Sequence, residues 1–343
     1  MAESLNWGIL GAGSIARTFA KGVAKSSTGT LTAVGSRSQE GADKFGEEFN
    51  VARRHASYDD LLADPDVQAV YIAVPHPMHA VWAPKAADAV KHILCEKPLA
   101  LNRAEASAVV EAAIRNDVFL MEAFMYRCHP QTARLVELIR EGAIGEVRLI
   151  QATFSFQTGT DPESRLMNPE LGGGGILDVG CYCASNAARR EAAVGKDFEN
   201  PVELKAVAKM NDATGVDEYT VASLRFPAAP RGSRPVCRSA GERRARLRQR
   251  GASLSWGRGY PGARGAVGAA AQARSVEPEK ITTETRSSCT GSRPTRSRSI
   301  ERRHAASPAP TWDDTLGNML TLDMWRQEIG LVPFQWPGRR RRR

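Results

Sequence analysis

Leu5-Asn6-Trp7-Gly8-Ile9-Leu10-Gly11-Ala12-Gly13-Ser14-Ile15-Ala16 is the stretch that decides the fold. A short apolar run meets Gly-x-Gly-x-x-Ala, and residues 16–24 then have helical composition. Each small residue in that strand–turn–helix has a physical reason. Gly11 permits the tight turn, Gly13 lets a pyrophosphate approach the backbone, and Ala16 keeps the helix close to the sheet. The N–H groups that open the helix, on Ser14, Ile15 and Ala16, have no partner within it and suit phosphate oxygens. Alone the pattern is weak. Directly after a first strand it favours a dinucleotide over a plain glycine turn.

The second strand, residues 31–35, ends in Ser36-Arg37-Ser38. A dinucleotide without the extra phosphate would meet Asp or Glu here. Hydroxyls and a forked guanidinium suit a 2′-phosphate instead, so NADP is expected ahead of NAD. The competing reading has Arg37 stacked on the adenine or pointing into water.

Working outward, strands and helices alternate. A helix is expected from Tyr58 to Leu62. Residues 67–74 form the most hydrophobic strand, central in the sheet. Pro75-His76-Pro77-Met78-His79 follows. No third ligand has sensible spacing, so Pro75, His76 and His79 are expected as a hydrogen-bonding loop beside the cofactor, with no metal. A helix over 79–90 leads to the strand His92-Ile93-Leu94-Cys95, which runs into Glu96-Lys97-Pro98-Leu99. A charged pair ending a buried strand is costly unless it is solvated or used. The plain reading is a strand cap. The other follows from position, because the carboxyl ends of parallel strands are where ligands bind. Asn102 opens a helix to about Asn116, with Glu105 at the capping-box position. Residues 118–122 make another strand. This alternation predicts an α/β doubly wound parallel sheet, a Rossmann domain over 1–123.

A second domain is expected over 124–331, followed by a basic tail at 332–343. Its predicted elements are a helix over 130–141 ended by residues 142–145, a long strand over 147–156, and antiparallel strands at 202–210 and 218–226. Between them, Gly172-Gly173-Gly174-Gly175 precedes a helix carrying Asp178 and Tyr182. Four residues apart, these two share a face. A surface hydrogen-bonded pair is the bland alternative.

Bulk properties narrow the class. The chain has 343 residues, 42% of them hydrophobic, enough for two domains. No apolar run approaches the ~20 residues that span a bilayer. The first six residues do not read as a secretory signal. Six cysteines show no paired spacing, and Cys181 and Cys183 point to different helical faces, so reduced thiols in the cytoplasm are expected. The net charge of +9 is unevenly spread: residues 228–304 hold 17 Arg and 1 Lys against 5 Glu, and residues 339–343 are all Arg. The remainder is net acidic.

Gly11-x-Gly13-x-x-Ala16, Glu96-Lys97-Pro98 and Gly173-Gly174-Gly175-x-x-Asp178-x-Gly180-x-Tyr182 together resemble the glucose–fructose oxidoreductase / inositol dehydrogenase (Gfo/Idh/MocA) family. The likeness covers residues 5–227 and 312–331. Leu94-Cys95-Glu96-Lys97-Pro98, Met121-Glu122-Ala123 and Gly180-Cys181-Tyr182-Cys183, with His76 where most relatives have Asn, point to its dihydrodiol dehydrogenase, glucose–fructose oxidoreductase and xylose dehydrogenase branch. The resemblance implies a second domain built on an open-faced antiparallel sheet, and a homodimer paired through it. It also implies that Lys97, Asp178 and Tyr182 meet at the nicotinamide, that Glu96 binds the ribose, and that Arg127 lies near the site.

That arrangement makes chemical sense. Oxidising a secondary alcohol needs a base for its proton and an acceptor for its hydride. A phenol titrates near ~10, and a neighbouring ammonium stabilises the phenolate. Tyr182 is therefore expected as general acid/base, Lys97 as its electrostatic partner and Asp178 as the orienting group. The expected activity is NADP-dependent hydride transfer to or from a sugar, polyol or trans-dihydrodiol.

From residue 228 to about 306 the resemblance stops. Arg-, Gly- and Ser-rich text such as Arg243-Arg244-Ala245-Arg246 replaces strands and cannot bury enough apolar surface to fold. Family-like text resumes at Trp312, the pattern of a reading-frame slip later restored. Two alternatives follow. The chain could bind the nucleotide without turnover, or 228–304 could bind nucleic acid. No aromatic interleaving or folded motif supports the latter, and no membrane partner is expected.

Overall fold

A computed structural model describes residues 4–141, 143, 149–187, 199–227, 252–256, 266–271, 280–282 and 309–331. The Arg-rich run 243–250, Cys237, Cys289, most of 142–148 and the terminal arginines lie outside them.

Strands β1 (Leu5–Leu10), β2 (Gly29–Gly35), β3 (Arg53–His55), β4 (Ala69–Ile72), β5 (His92–Cys95) and β6 (Leu120–Glu122) form one parallel sheet in the order β3-β2-β1-β4-β5-β6. The order reverses between β1 and β4, so the carboxyl ends of these two strands flank the crevice where such sheets bind ligands. All four residues of β4 are buried, as expected of a central strand covered on both faces.

Helices α1 (Ser14–Val23) and α2 (Gln39–Phe49) cover one face, around Ile9, Val34, Phe45 and Tyr71. The other core joins Leu10, Ile72 and Ile93 to α4 (His76–Asp88) and α5 (Arg103–Arg115). It continues into Ile176, Leu177, Met319 and Leu322, so residues far downstream complete it. The short α3 (Tyr58–Ala63) starts where expected. Helix α4 starts earlier than expected, at His76. Pro77 occupies its first turn, where a missing N–H costs nothing. His76 and His79 are thus helical and not part of a loop. Asn102 caps α5 by accepting from the Glu105 amide at 2.9 Å.

Beyond α6 (Pro130–Arg140), residues 149–156 are not a strand, against the expectation for 147–156. A strand persists through a ladder to a neighbour, and none reaches this segment among the described residues. β7 (Glu203–Met210) and β8 (Asp217–Arg225) pair antiparallel. Leu204, Ala206, Ala222 and Leu224 pack inward, while Val207, Tyr219 and Val221 are about two-thirds or more exposed on the opposite face. Three short strands, β9 (Ala252–Trp256), β10 (Ala266–Ala271) and β11 (Lys280–Thr282), lie inside the segment expected to lack them, and among the described residues they pair with one another only.

The last helix, α8 (Trp312–Glu328), opens with a capping box between Thr311 and Asp314. Arg326 donates to the Leu101 carbonyl at 2.7 Å, and Trp312 Nε1 donates to the Leu120 carbonyl at 3.0 Å. Trp325 Nε1 donates to Thr220 Oγ1 at 2.9 Å. One helix therefore ties the β7–β8 hairpin to the parallel sheet. No described helix is long and apolar enough to cross a membrane.

Candidate active site

The glycine turn after β1 is shaped to receive a ligand. Gly11 has φ +105°, and a Cβ there would meet the Ala73 carbonyl oxygen at 2.9 Å. Glycine is required on both counts. A Cβ at Gly13 would meet nothing within 4 Å, so this side of the turn is open. No side chain caps α1, which leaves the Ser14, Ile15 and Ala16 amides at its start for an anion. Arg17, which sequence reasoning passed over, donates to the Ala12 carbonyl at 2.6 Å and pairs with Glu48 at 2.8 Å. It braces the turn from below.

At the end of β2, Ser36 is half-buried and Arg37 is exposed. Arg37 has no hydrogen bond or ion pair among the described residues. Ser38 is the N-cap of α2, accepting from the Gly41 amide at 3.2 Å. A dinucleotide therefore fits the chain at both its pyrophosphate and its ribose end.

Lys97 follows β5, and its peptide bond to Pro98 is cis. Its ammonium donates to the Asp178 backbone carbonyl at 2.6 Å and lies 3.4 Å from Asp178 Oδ1. The same nitrogen stands 5.1 Å from the centroid of the Tyr182 ring. Lys97, 81 residues before Asp178, thus shares one locus with Asp178 and Tyr182. Tyr182 is packed among Phe124, Tyr126 and Phe154, with ring centroids 5.3–5.8 Å away. Arg165 Nη1 reaches Asp178 Oδ1 at 3.0 Å from a segment without regular structure. Burial pushes the Asp178 carboxyl up, but Lys97 and Arg165 outweigh it and hold the group below the usual carboxylate range.

The helix bearing Asp178 is not plain. Residues Ile176–Gly180 form a π turn that passes into α7 (Cys181–Ala187). Such single turns recur at functional sites. Asp217, at the start of β8, supports the turn by accepting from the Ile176 amide at 2.6 Å. Gly174 has φ +107°, and a Cβ there would collide with Asp217 Oδ1 at 2.2 Å. The glycine run thus makes room for a carboxylate. Burial raises Asp217 to about 6.

The other expected residues take different places. Glu96 accepts from the Tyr71 hydroxyl and is half-buried, its pKa raised by burial. Pro75 is the N-cap of α4. His76 Nδ1 lies 3.3 Å from the Gly172 carbonyl, and burial and Lys97 keep the ring neutral. His79 is wholly buried, with Nδ1 2.8 Å from the Pro98 carbonyl and Nε2 2.9 Å from that of Val74. Burial pushes it down to about 4, so the neutral ring donates to one carbonyl only. It offers no surface to a cofactor. Nor does Arg127, which is 2% exposed and paired with Asp314 at 2.9 Å. Both side chains are thus engaged by partners inside the protein. Cys95, Cys128, Cys181 and Cys183 are free thiols, and burial raises Cys181 to about 12.

Two family models match the chain. One, for the GFO_IDH_MocA oxidoreductase family with an NAD-binding Rossmann fold, covers residues 5–124. The other, for the GFO/IDH/MocA C-terminal domain, covers 132–252. Trans-1,2-dihydrobenzene-1,2-diol dehydrogenase of Mus musculus is 35% identical over 232 residues, 67% of each chain. D-xylose 1-dehydrogenase (NADP(+)) 2 of Haloferax volcanii is 38% identical over 213 residues, 62% of this chain and 65% of its own. An oxidoreductase of Rhizobium meliloti is 38% identical over 197 residues, and there the chain spans only 57% of the relative's length. Among solved structures, aldose-aldose oxidoreductase from Caulobacter crescentus aligns with TM-score 0.74 at 22% identity, covering 95% of this chain and 97% of its own. A 3-ketoreductase from Actinomadura kijaniata, solved with NADP and TDP-benzene, aligns with TM-score 0.72 at 22% identity, covering 97% and 100%. These two likenesses speak for the fold.

Proposed function

Because the chain belongs to the Gfo/Idh/MocA oxidoreductase family, we propose that it is an NADP-dependent oxidoreductase acting on the secondary alcohol or carbonyl of a sugar, polyol or trans-dihydrodiol. The observation that carries this reading is the Lys97 ammonium between the Asp178 carboxylate and the Tyr182 ring. Bound NADP supplies the hydride acceptor. The residues handle the proton and the positioning. Tyr182 takes the hydroxyl proton of an alcohol, or returns it to a carbonyl. Lys97 stabilises the phenolate and donates to the reacting oxygen, lowering the cost of charge where it develops. Asp178 orients Lys97. The α1 amides and Gly13 hold the pyrophosphate, Ser36 and Arg37 hold the 2′-phosphate, and Glu96, steadied by Tyr71, holds the ribose. The dihydrodiol and xylose dehydrogenases among the relatives support these substrate classes.

The test is NADP reduction by the purified chain with pentoses, hexoses, polyols and trans-dihydrobenzenediol. Turnover with one class is expected. No turnover in either direction would refute the reading. If NADPH still bound under those conditions, a nucleotide-binding relative without activity would be the better description. The separate pairing of β9–β11, away from β7–β8, is what favours that second reading. The exposed Val207, Tyr219 and Val221 face supports a homodimer, which light scattering would measure.

A further inference from the structure

The peptide unit between Pro98 and Leu99 meets a buried side chain at each polar end. Its carbonyl faces His79 Nδ1 at 2.8 Å, and its amide donates to Glu122 Oε1 at 2.9 Å. This is the first peptide after Lys97–Pro98, so its placement fixes the turn from which Lys97 reaches Asp178.

Glu122 is the less expected half of this clamp. It ends β6, opposite Cys95 in the register, and is 2% exposed. No role assigned above uses it. Its Oε2 has no hydrogen-bond partner among the described residues, although the Thr315 side chain acts on the carboxyl group and favours its charged form. A buried carboxylate so incompletely satisfied costs stability that an apolar side chain would not. Packing alone therefore does not account for it.

We propose that Glu122 is a positioning residue, which holds the Lys97 turn through the Leu99 amide and couples that turn to the docking of α8 through Thr315, Arg127 and Asp314. The inference rests on the role given to Lys97 under the proposed function. The charged and titratable groups that face Glu122 are Arg127 on the turn before α6, Asp314 on α8, Cys95 on β5 and Cys181 on α7. Burial raises the carboxyl to about 7. Near neutral pH it therefore passes between a stronger, ionised acceptor and a weaker, protonated one.

The test compares Glu122→Ala with Glu122→Gln, whose amide oxygen still accepts. Three readouts serve: kcat against KM for NADP, exchange of the Leu99 amide, and the rate at which acetic anhydride labels Lys97. Glu122→Ala is expected to lower kcat about tenfold or more with KM for NADP little changed, as for the loss of a hydrogen bond to a charged group. It is also expected to speed both Leu99 exchange and Lys97 labelling. Glu122→Gln is expected to restore all three. Wild-type Leu99 exchange and Lys97 labelling in Glu122→Ala would overturn the proposal, as would a folded Glu122→Gln that fails to restore them. If Glu122→Ala does not fold, Glu122→Asp carries the same test, since it keeps the charge and shortens the reach. If the wild type shows no turnover, the proposed function fails while exchange and labelling still decide whether Glu122 fixes the turn.

Discussion

Arg165 and Lys97 meet on the same oxygen of Asp178, at 3.0 Å and 3.4 Å. One carboxylate thus serves two cations that lie far apart in the sequence. Lys97 comes from the end of a parallel strand and Arg165 from an irregular segment beyond it. Asp178 stays ionised despite its burial because both cations favour the charged form.

Removing Arg165 moves this balance in a fixed direction. A depressed carboxylate contributes stability above its unfolded pKa and loses it as pH falls through the folded value. In Arg165→Gln the Asp178 carboxyl rises, so the loss begins at higher pH. The acid limb of the pH–rate profile is expected to move to higher pH, with the effect reduced by solvent screening because Arg165 is nearly half exposed. An unmoved limb would mean that Arg165 does not act on Asp178 in solution.

Arg37 tests the choice of cofactor. It is exposed and uncommitted at the end of β2. Arg37→Asp replaces an attraction for the 2′-phosphate with a repulsion. KM for NADP is expected to rise by about tenfold or more, with NAD much less affected. Equal changes for both dinucleotides would contradict the role.

Asp217 tests how the site is supported. Asp217→Ala removes the acceptor for the Ile176 amide at the start of the π turn, a loss of about 1–3 kcal/mol. Thermal melting is expected to fall by several degrees. Its pH dependence has a definite sign. The folded pKa of about 6 lies above the unfolded value of 3.8, so the folded state binds more protons between them. Wild-type stability from this group is expected to decline as pH rises from about 4 to about 6, by on the order of 3 kcal/mol, and Asp217→Asn removes the decline.

Much of this was legible in the sequence because short-range rules govern it. The turn at Gly11, the cap at Asn102 and the apolar strands follow from local geometry. Lys97, Asp178 and Tyr182 could be named as partners only through the family resemblance, since 81 residues separate Lys97 from Asp178. Arg165 and Asp217 were not legible. Each acts through a tertiary contact, and neither sits in a spacing that a local rule recognises. Met121-Glu122-Ala123 carries part of the family likeness, but the bond from the Leu99 amide to Glu122 is not legible, because a backbone amide has no sequence signature. The burial of His79 and Arg127 was not legible either, because a polar residue near a site carries no local sign of the partners that enclose it. The strand expected over 147–156 failed because alternation identifies a strand only when a neighbouring edge is there to pair with it.

The most direct test of the account is Lys97→Met, assayed for turnover and for NADPH binding in parallel. Methionine keeps the length of the side chain and removes the charge beside Tyr182. The account predicts that kcat/KM falls by about a thousandfold or more, as for the loss of a principal transition-state donor, while NADPH affinity stays within about threefold. Turnover close to the wild-type rate would contradict it.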